Sequence, residues 1–179
     1  GEVVFCDVEE DTYLMDIKKL SRLLSQSPKG TYKGIVLVDF AGYPANLEAF
    51  RQLADEYGLW IIEDACHAPG GYFIDSKGEK QLCGNGNFAD ISVFSFHPVK
   101  HIATGEGGMA TTNSKKLYEK LCLYRTHGIT KDPALLCENH GGWYYEMQEL
   151  GYNYRITDFQ AALGISQLKR ADMGLARRQ

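Results

Sequence analysis

Short, near-continuous apolar runs alternate along the chain with stretches in which apolar residues recur every three or four positions. Residues 3–6, 35–38, 59–62, 91–96 and 107–112 are such runs, each too short for a helix, and they read as strands. Between them Ile17, Leu20, Leu23 and Leu24 follow a capping Asp16 at helical spacing, predicting a helix to about Ser25. Leu47, Phe50, Leu53 and Ala54 follow Asn46 in the same way, and Gly58 supplies the stop. Strands that are apolar on both sides, alternating with helices, predict an α/β fold: a mostly parallel sheet with helices on both faces. The glycine-rich stretch 65–88 holds a hairpin, with Tyr72-Phe73-Ile74 turning at Asp75-Ser76-Lys77-Gly78. Asn113 or Ser114 caps a further helix to about Arg125. Residues 126–150 read as a long loop or lid, rich in Gly, Tyr and Trp, whose length suggests a functional role. Residues 155–176 are expected to be mostly helical, with Phe159, Ala162, Leu163 and Leu168 facing inward.

Composition narrows the class without naming a chemistry. At 179 residues and 44% hydrophobic content the chain can bury one sizeable core. The missing initiator methionine and the abrupt, charged, helix-like end suggest a piece of a longer protein. A net charge of −4 gives no electrostatic case for nucleic acid, and Lys115-Lys116 and Arg177-Arg178 read as solvated helix faces. No apolar stretch approaches the roughly 18 residues of a membrane span, and nothing at the start resembles a signal peptide. Five scattered cysteines, an odd number without a CxxC pair, argue against a disulfide framework and fit a cytoplasmic enzyme. His97 and His101 are spaced as helical zinc ligands can be, but Pro98 lies between them and nothing completes a set, so no metal is expected.

The chemistry gathers around one lysine. Lys100 stands in Ser95-Phe96-His97-Pro98-Val99-Lys100-His101-Ile102-Ala103-Thr104-Gly105-Glu106-Gly107-Gly108, after a strand and before a glycine cluster. A free lysine amine, with pKa about 10.4, is protonated at neutral pH and cannot attack a carbonyl. A covalent imine with an aldehyde removes that obstacle, and the amine released by exchange becomes a base beside the substrate carbon. Asp64 ends the run Leu59-Trp60-Ile61-Ile62-Glu63-Asp64, at the edge where parallel sheets collect ligands. A carboxylate there can hold the proton of a pyridine nitrogen, so the pair points to pyridoxal 5'-phosphate. Glu63 should face the other side of the strand, and Asp90 sits at the wrong end of its own. His67 is placed to reach the cofactor ring or its phenolic oxygen, and Ser95 to donate its hydroxyl to the phosphate.

With these residues in place the chain resembles, nearly end to end, the DegT/StrS-type sugar aminotransferases. The resemblance rests on Val38-Asp39-Phe40-Ala41-Gly42, Ile62-Glu63-Asp64-Ala65-Cys66-His67-Ala68, residues 95–108, Arg125-Thr126-His127-Gly128-Ile129 and Leu150-Gly151-Tyr152-Asn153-Tyr154-Arg155. Residues 95–108, 127–133 and 143–155 are most similar to the pseudaminic-acid branch of that family. The resemblance implies that Lys100 and Asp64 are catalytic and that His67 and Ser95 bind the cofactor. It implies a homodimer in which Asn153 reaches the phosphate of the neighbouring subunit's cofactor. It also implies that residues 1–179 are the central part of the large domain of a fold-type I pyridoxal-phosphate transferase, lacking an N-terminal segment and a C-terminal small domain. Such a fragment is expected to be weakly active or inactive alone. The implied reaction uses L-glutamate to aminate a UDP-linked 4-keto-6-deoxy sugar at C-4, giving UDP-4-amino-4,6-dideoxy-N-acetyl-β-L-altrosamine. An aminotransferase for another nucleotide sugar, a dehydratase on the same scaffold and a non-catalytic relative remain open alternatives.

Overall fold

The computed structural model describes residues 1–178. Four strands form the main sheet: β1 (Gly34–Val38), β2 (Trp60–Asp64), β5 (Ile91–Ser95) and β6 (Gly108–Thr111), in the order β1-β2-β5-β6. The first three are parallel and β6 runs antiparallel to β5. Between β2 and β5 lies the small hairpin of β3 (Tyr72–Ile74) and β4 (Lys80–Leu82). The helices are α1 (Ile17–Ser25), α2 (Leu47–Tyr57), α3 (Lys115–Arg125), α4 (Asp158–Leu168) and α5 (Ala171–Ala176).

The helix starts obey the capping logic of the sequence. The Asp16 carboxylate accepts from the backbone N–H groups of Lys18 and Lys19, Asn46 accepts from Ala49, and Ser114 accepts from Leu117. Helix α2 stops at Gly58, which takes the left-handed conformation. Leu20 and Leu24 of α1 and Leu47, Phe50 and Ala54 of α2 pack on Ile35, Leu37 and Ile61 of the sheet, forming the principal core. Each such Leu, Ile or Phe side chain, removed from water, contributes roughly 1.5–3 kcal/mol.

Strand alternation then sorts the sheet into two faces. Ile35, Leu37, Ile61, Glu63 and Ser92 point to the covered face and are buried. Val36, Val38 and Trp60 point the other way and are 50%, 43% and 47% exposed, so α1 and α2 cover one face and the second is open along β1. Asp64 pairs with Val38 on one side and Val93 on the other, which puts it on this open face at the carboxyl ends of the parallel strands.

Three expectations need correction. Residues 3–6 form no strand: Val3, Val4 and Phe5 are exposed, and only an isolated bridge, Val8 to Met15, lies nearby. An apolar run becomes a strand only where a sheet edge receives its hydrogen bonds, and no strand edge pairs with it. Residues 126–150 are not a bare loop, since β7 (Ile129–Thr130) and β8 (Glu146–Met147) pair antiparallel within them. Phe159, Ala162, Leu163 and Leu168 do not face inward: they are exposed, Phe159 at 92%, and only Gly164 of α4 is buried. Their periodicity marks an apolar helix face, but no element within the described residues packs against it.

Candidate active site

Ladder register places three of the predicted groups at one edge. Asp64 ends β2, His67 follows in the next turn, and Ser95 ends β5 two residues beyond Val93, the partner of Asp64. Ser95 and Asp64 therefore share the open face of the sheet. The turn after Asp64 is fixed locally: the carboxylate Oδ1 accepts from Cys66 N–H at 3.1 Å, Ala65 N–H donates to Val93 O at 3.0 Å, and Ala68 N–H to Ala65 O at 2.9 Å.

Lys100 lies in the loop joining β5 to β6. The loop is clasped at its neck, where Phe96 N–H donates to Gly107 O and Thr104 N–H to Phe96 O, at 2.8 and 2.9 Å. Buried Ile102 and Thr104 anchor it from below. A Cβ on Gly107 would lie 2.5 Å from Thr104 Oγ1, so the glycine is required for the neck to close. Inside the loop Lys100 N–H donates to His97 O at 2.9 Å, and His97 N–H to Ser95 Oγ at 3.3 Å, which leaves the serine hydroxyl proton to give away. A ring nitrogen of His101 lies 3.3 Å from Pro69 O and ties the lysine loop to the turn that carries His67. Among the described residues the Lys100 amine has no ion pair and no hydrogen bond.

Cys66 feels both predicted groups. Burial pushes its thiol up to about 11, helped by its hydrogen bond with Asp64 and that carboxylate's charge, and opposed by the Lys100 ammonium. His67 is exposed, its ring tilted against Phe40 at 6.3 Å. It opens into a cleft of about 350 Å³ lined also by Gly42, Pro69, His101, Leu175 and Arg178. A larger cleft, about 430 Å³, lies between α1, α2 and β3 and contains none of the predicted site residues.

Asn153 sits apart. It bridges Thr126 beyond the end of α3, is exposed, and makes no hydrogen bond to Asp64, His67, Ser95 or Lys100 among the described residues. Asp90 closes the opposite end of the sheet, where its carboxylate accepts from Ile61 N–H at 2.7 Å and pairs with Arg51 at 3.1 Å.

The structure adds a group that the residue-by-residue reading left without a role. Beneath the sheet edge Asp39, Glu63 and Cys83 are buried together, with their polar atoms within 4.8 Å of one another. Burial, reinforced by the charge of Asp39, pushes Glu63 up to about 7 against the opposing hydrogen bond from Ser92, and burial also raises Asp39 and Cys83. The available signal was an acid directly after each of two neighbouring apolar runs, Asp39 after 35–38 and Glu63 after 59–62.

The site has the donor set for pyridoxal phosphate. It offers a carboxylate with one oxygen uncommitted and a hydroxyl with a free proton at the carboxyl ends of β2 and β5, an imidazole in the turn after β2, and an unpaired amine in the loop after β5. Comparison with known proteins agrees. A family model described as the DegT/DnrJ/EryC1/StrS aminotransferase family matches residues 1–179. The chain is 40% identical over 179 residues to the UDP-4-amino-4,6-dideoxy-N-acetyl-beta-L-altrosamine transaminase of Campylobacter jejuni, covering 100% of this chain and 43% of that relative. Helicobacter pylori PseC, an aminotransferase involved in the biosynthesis of pseudoaminic acid, superposes with a TM-score of 0.75 at 34% identity over 95% of this chain and 40% of that one. A Streptococcus pneumoniae protein solved in its PMP form superposes with a TM-score of 0.77 at 28% identity, covering 98% of this chain and 46% of that one. The chain thus spans about two fifths of the length of these relatives. From the first strand edge to the lysine loop, the pattern read from the residues and the match over the whole length agree: the chain belongs to the DegT/DnrJ/EryC1/StrS aminotransferase family.

Proposed function

We propose that the protein transfers the amino group of L-glutamate to C-4 of a UDP-linked 4-keto-6-deoxy sugar, giving UDP-4-amino-4,6-dideoxy-N-acetyl-β-L-altrosamine in the cytoplasm. The chain contributes the central part of the cofactor-binding large domain, and the whole enzyme works as a homodimer. The observation that carries this reading is the convergence of Asp64, His67 and Ser95 at the carboxyl edge of β2 and β5, with the Lys100 loop tied to the same turn.

Pyridoxal phosphate, when bound, supplies an aldehyde carbon that accepts the amino group and a ring that takes up an electron pair. Lys100 would be the residue that holds it covalently, and its freed Nζ would be the base placed to move a proton at the donor's α-carbon and at C-4 of the acceptor. A positioned acid–base group contributes about 10²- to 10⁴-fold. Oδ2 of Asp64 would hold the ring-nitrogen proton by charge pairing, while Oδ1 keeps the turn closed through Cys66 N–H. Ser95 would donate a hydrogen bond from its hydroxyl to the phosphate, and His67 would be the imidazole nearest the ring. Asn153, which bonds to none of these groups in its own chain, would serve the neighbouring subunit's phosphate.

The test is incubation of the full-length gene product with pyridoxal phosphate, L-glutamate and the UDP-linked 4-keto sugar, with mass-spectrometric readout. Equal amounts of amino-sugar and 2-oxoglutarate are expected, and neither from Lys100→Ala. Amination of a different nucleotide sugar, with none of this one, would move the assignment to a sister enzyme.

A further inference from the structure

The buried group behind the site contains one acceptor too many. Asp39 is 1% exposed and Glu63 is 1% exposed, both on the covered face of the sheet. Asp39 Oδ1 accepts from Ala45 N–H at 2.9 Å, but Oδ2 is buried without a donor. Glu63 Oε2 accepts from Gly84 N–H at 3.0 Å and from the Ser92 hydroxyl, while Oε1 only shares that same N–H at 3.1 Å and is the oxygen able to carry a proton. Two carboxylates this close and this dry cannot both stay charged, because nothing beside them supplies the compensating cation. The groups that face the pair of Asp39 and Glu63 are Cys83 from the loop after β4, whose thiol is a weak donor toward the Asp39 carboxylate, Ser92 from β5, and Asp64 on the far side of β2. None is a cation. A metal ion fits poorly, since the Glu63 oxygens are already directed at the Gly84 and Ser92 donors and neither cleft reaches the cluster.

We propose that Asp39 and Glu63 hold one proton between them, with Glu63 as the acid and Asp39 Oδ2 as its acceptor, and that this pair positions the turns bearing Asp64 and His67. The proton satisfies the orphaned oxygen and removes one buried charge in a single hydrogen bond. Its mechanical reach follows from the backbone. Asp39 N–H donates to Asp64 O at 3.0 Å, so the residue that shares the proton also holds the end of β2. The same Asp39 carboxylate closes the 39–45 turn through Ala45, and that turn bears on His67: Phe40 packs on its ring, and Gly42 lies so close that a Cβ would be 2.8 Å from His67 O. Glu63 meanwhile holds the Gly84 loop and β5. With the proton lost, two adjacent buried charges repel, and the 39–45 turn is the part free to yield.

The sign of the pH effect is fixed. Burial raises Glu63 from 4.5 to about 7, so the folded protein keeps a proton that the unfolded chain gives up. Its contribution to stability is complete below about pH 4.5, declines as pH rises to about 7, and is gone above that. The positioning consequence rests on the role proposed for Asp64; the shared proton does not, and it is measured without cofactor.

The experiment is infrared difference spectroscopy of the protein labelled with ¹³C-carboxyl glutamate, titrated from about pH 5 to about pH 9, together with thermal unfolding over the same range. A protonated, labelled carboxyl band that disappears near neutral pH is expected in the wild type and absent in Glu63→Gln, whose unfolding midpoint no longer carries that component of the pH dependence. Pyridoxal-phosphate affinity of the full-length protein should weaken up to tenfold per pH unit above neutrality in the wild type and stay within about twofold in Glu63→Gln. If Glu63→Gln does not fold, the wild-type band decides alone. No protonated labelled carboxyl at about pH 5.5–6.5, or one tightly bound divalent metal per chain in the cluster, overturns the proposal.

Discussion

Gly128→Ala isolates how the segment beyond α3 is held. Gly128 is buried with φ +67°, and a Cβ there would lie 1.8 Å from Glu149 O, 2.7 Å from Glu149 C and 3.1 Å from Gly151 N. Its own carbonyl accepts from Gln148 N–H at 2.7 Å, and its N–H donates to Leu123 O at 2.9 Å, so it pins the return limb of the β7–β8 hairpin to the end of α3. Alanine in the left-handed region costs roughly 1–2 kcal/mol. The backbone contact at Glu149 cannot be accommodated in place, so the return limb must shift and give up the bond from Gln148, worth about 0.5–1.5 kcal/mol, with one or more of its neighbours. The sum, roughly 2–4 kcal/mol, raises the local opening equilibrium on the order of 30- to 1000-fold. Amide hydrogen exchange read by mass spectrometry should show lost protection across residues 126–152, while β1 and β2 exchange as before. Gly142→Ala is the control, because nothing lies within 4 Å of a Cβ there. Unchanged protection at 148–152 in Gly128→Ala would refute the reasoning.

Two other perturbations read different parts of the molecule. Leu37, 1% exposed in the centre of β1, should cost about 2–5 kcal/mol as Leu37→Ala, seen as a lower denaturant midpoint with an unchanged slope. The Cys66 thiol, pushed up to about 11 by burial and Asp64, should be about one part in a thousand thiolate near pH 8. Its iodoacetamide labelling should therefore rise about tenfold per pH unit up to that value and quicken in Asp64→Asn, whereas rapid labelling near pH 7 would show that burial and the carboxylate do not hold the thiol protonated.

What the sequence displays is what local chemistry decides. Asp16, Asn46 and Ser114 announce their helices because a short polar side chain can satisfy the first free N–H groups wherever the helix lies. Asp64 and Ser95 could be placed together because each ends a strand and parallel strands bring their carboxyl ends together, and Lys100 because it stands in the loop that follows β5. What escaped depends on partners far along the chain. Val3, Val4 and Phe5 have strand composition, yet strand structure needs an edge to pair with. Phe159, Leu163 and Leu168 have the pattern of a buried helix face, yet pattern does not say what will cover it. The approach of Asp39 to Glu63, 24 positions apart, depends on the register of β1 against β2 and on a glycine loop folding beneath both. No spacing rule contains that information.

The role proposed for Lys100, to hold pyridoxal phosphate covalently and yield it to an amino donor, is tested by the visible absorption spectrum of the full-length gene product with pyridoxal phosphate, recorded before and after L-glutamate and beside Lys100→Ala. A yellow band that glutamate bleaches is expected in the wild type, with no covalent adduct in the variant. A wild-type band that glutamate leaves unchanged, or the same bleaching in Lys100→Ala, would contradict it.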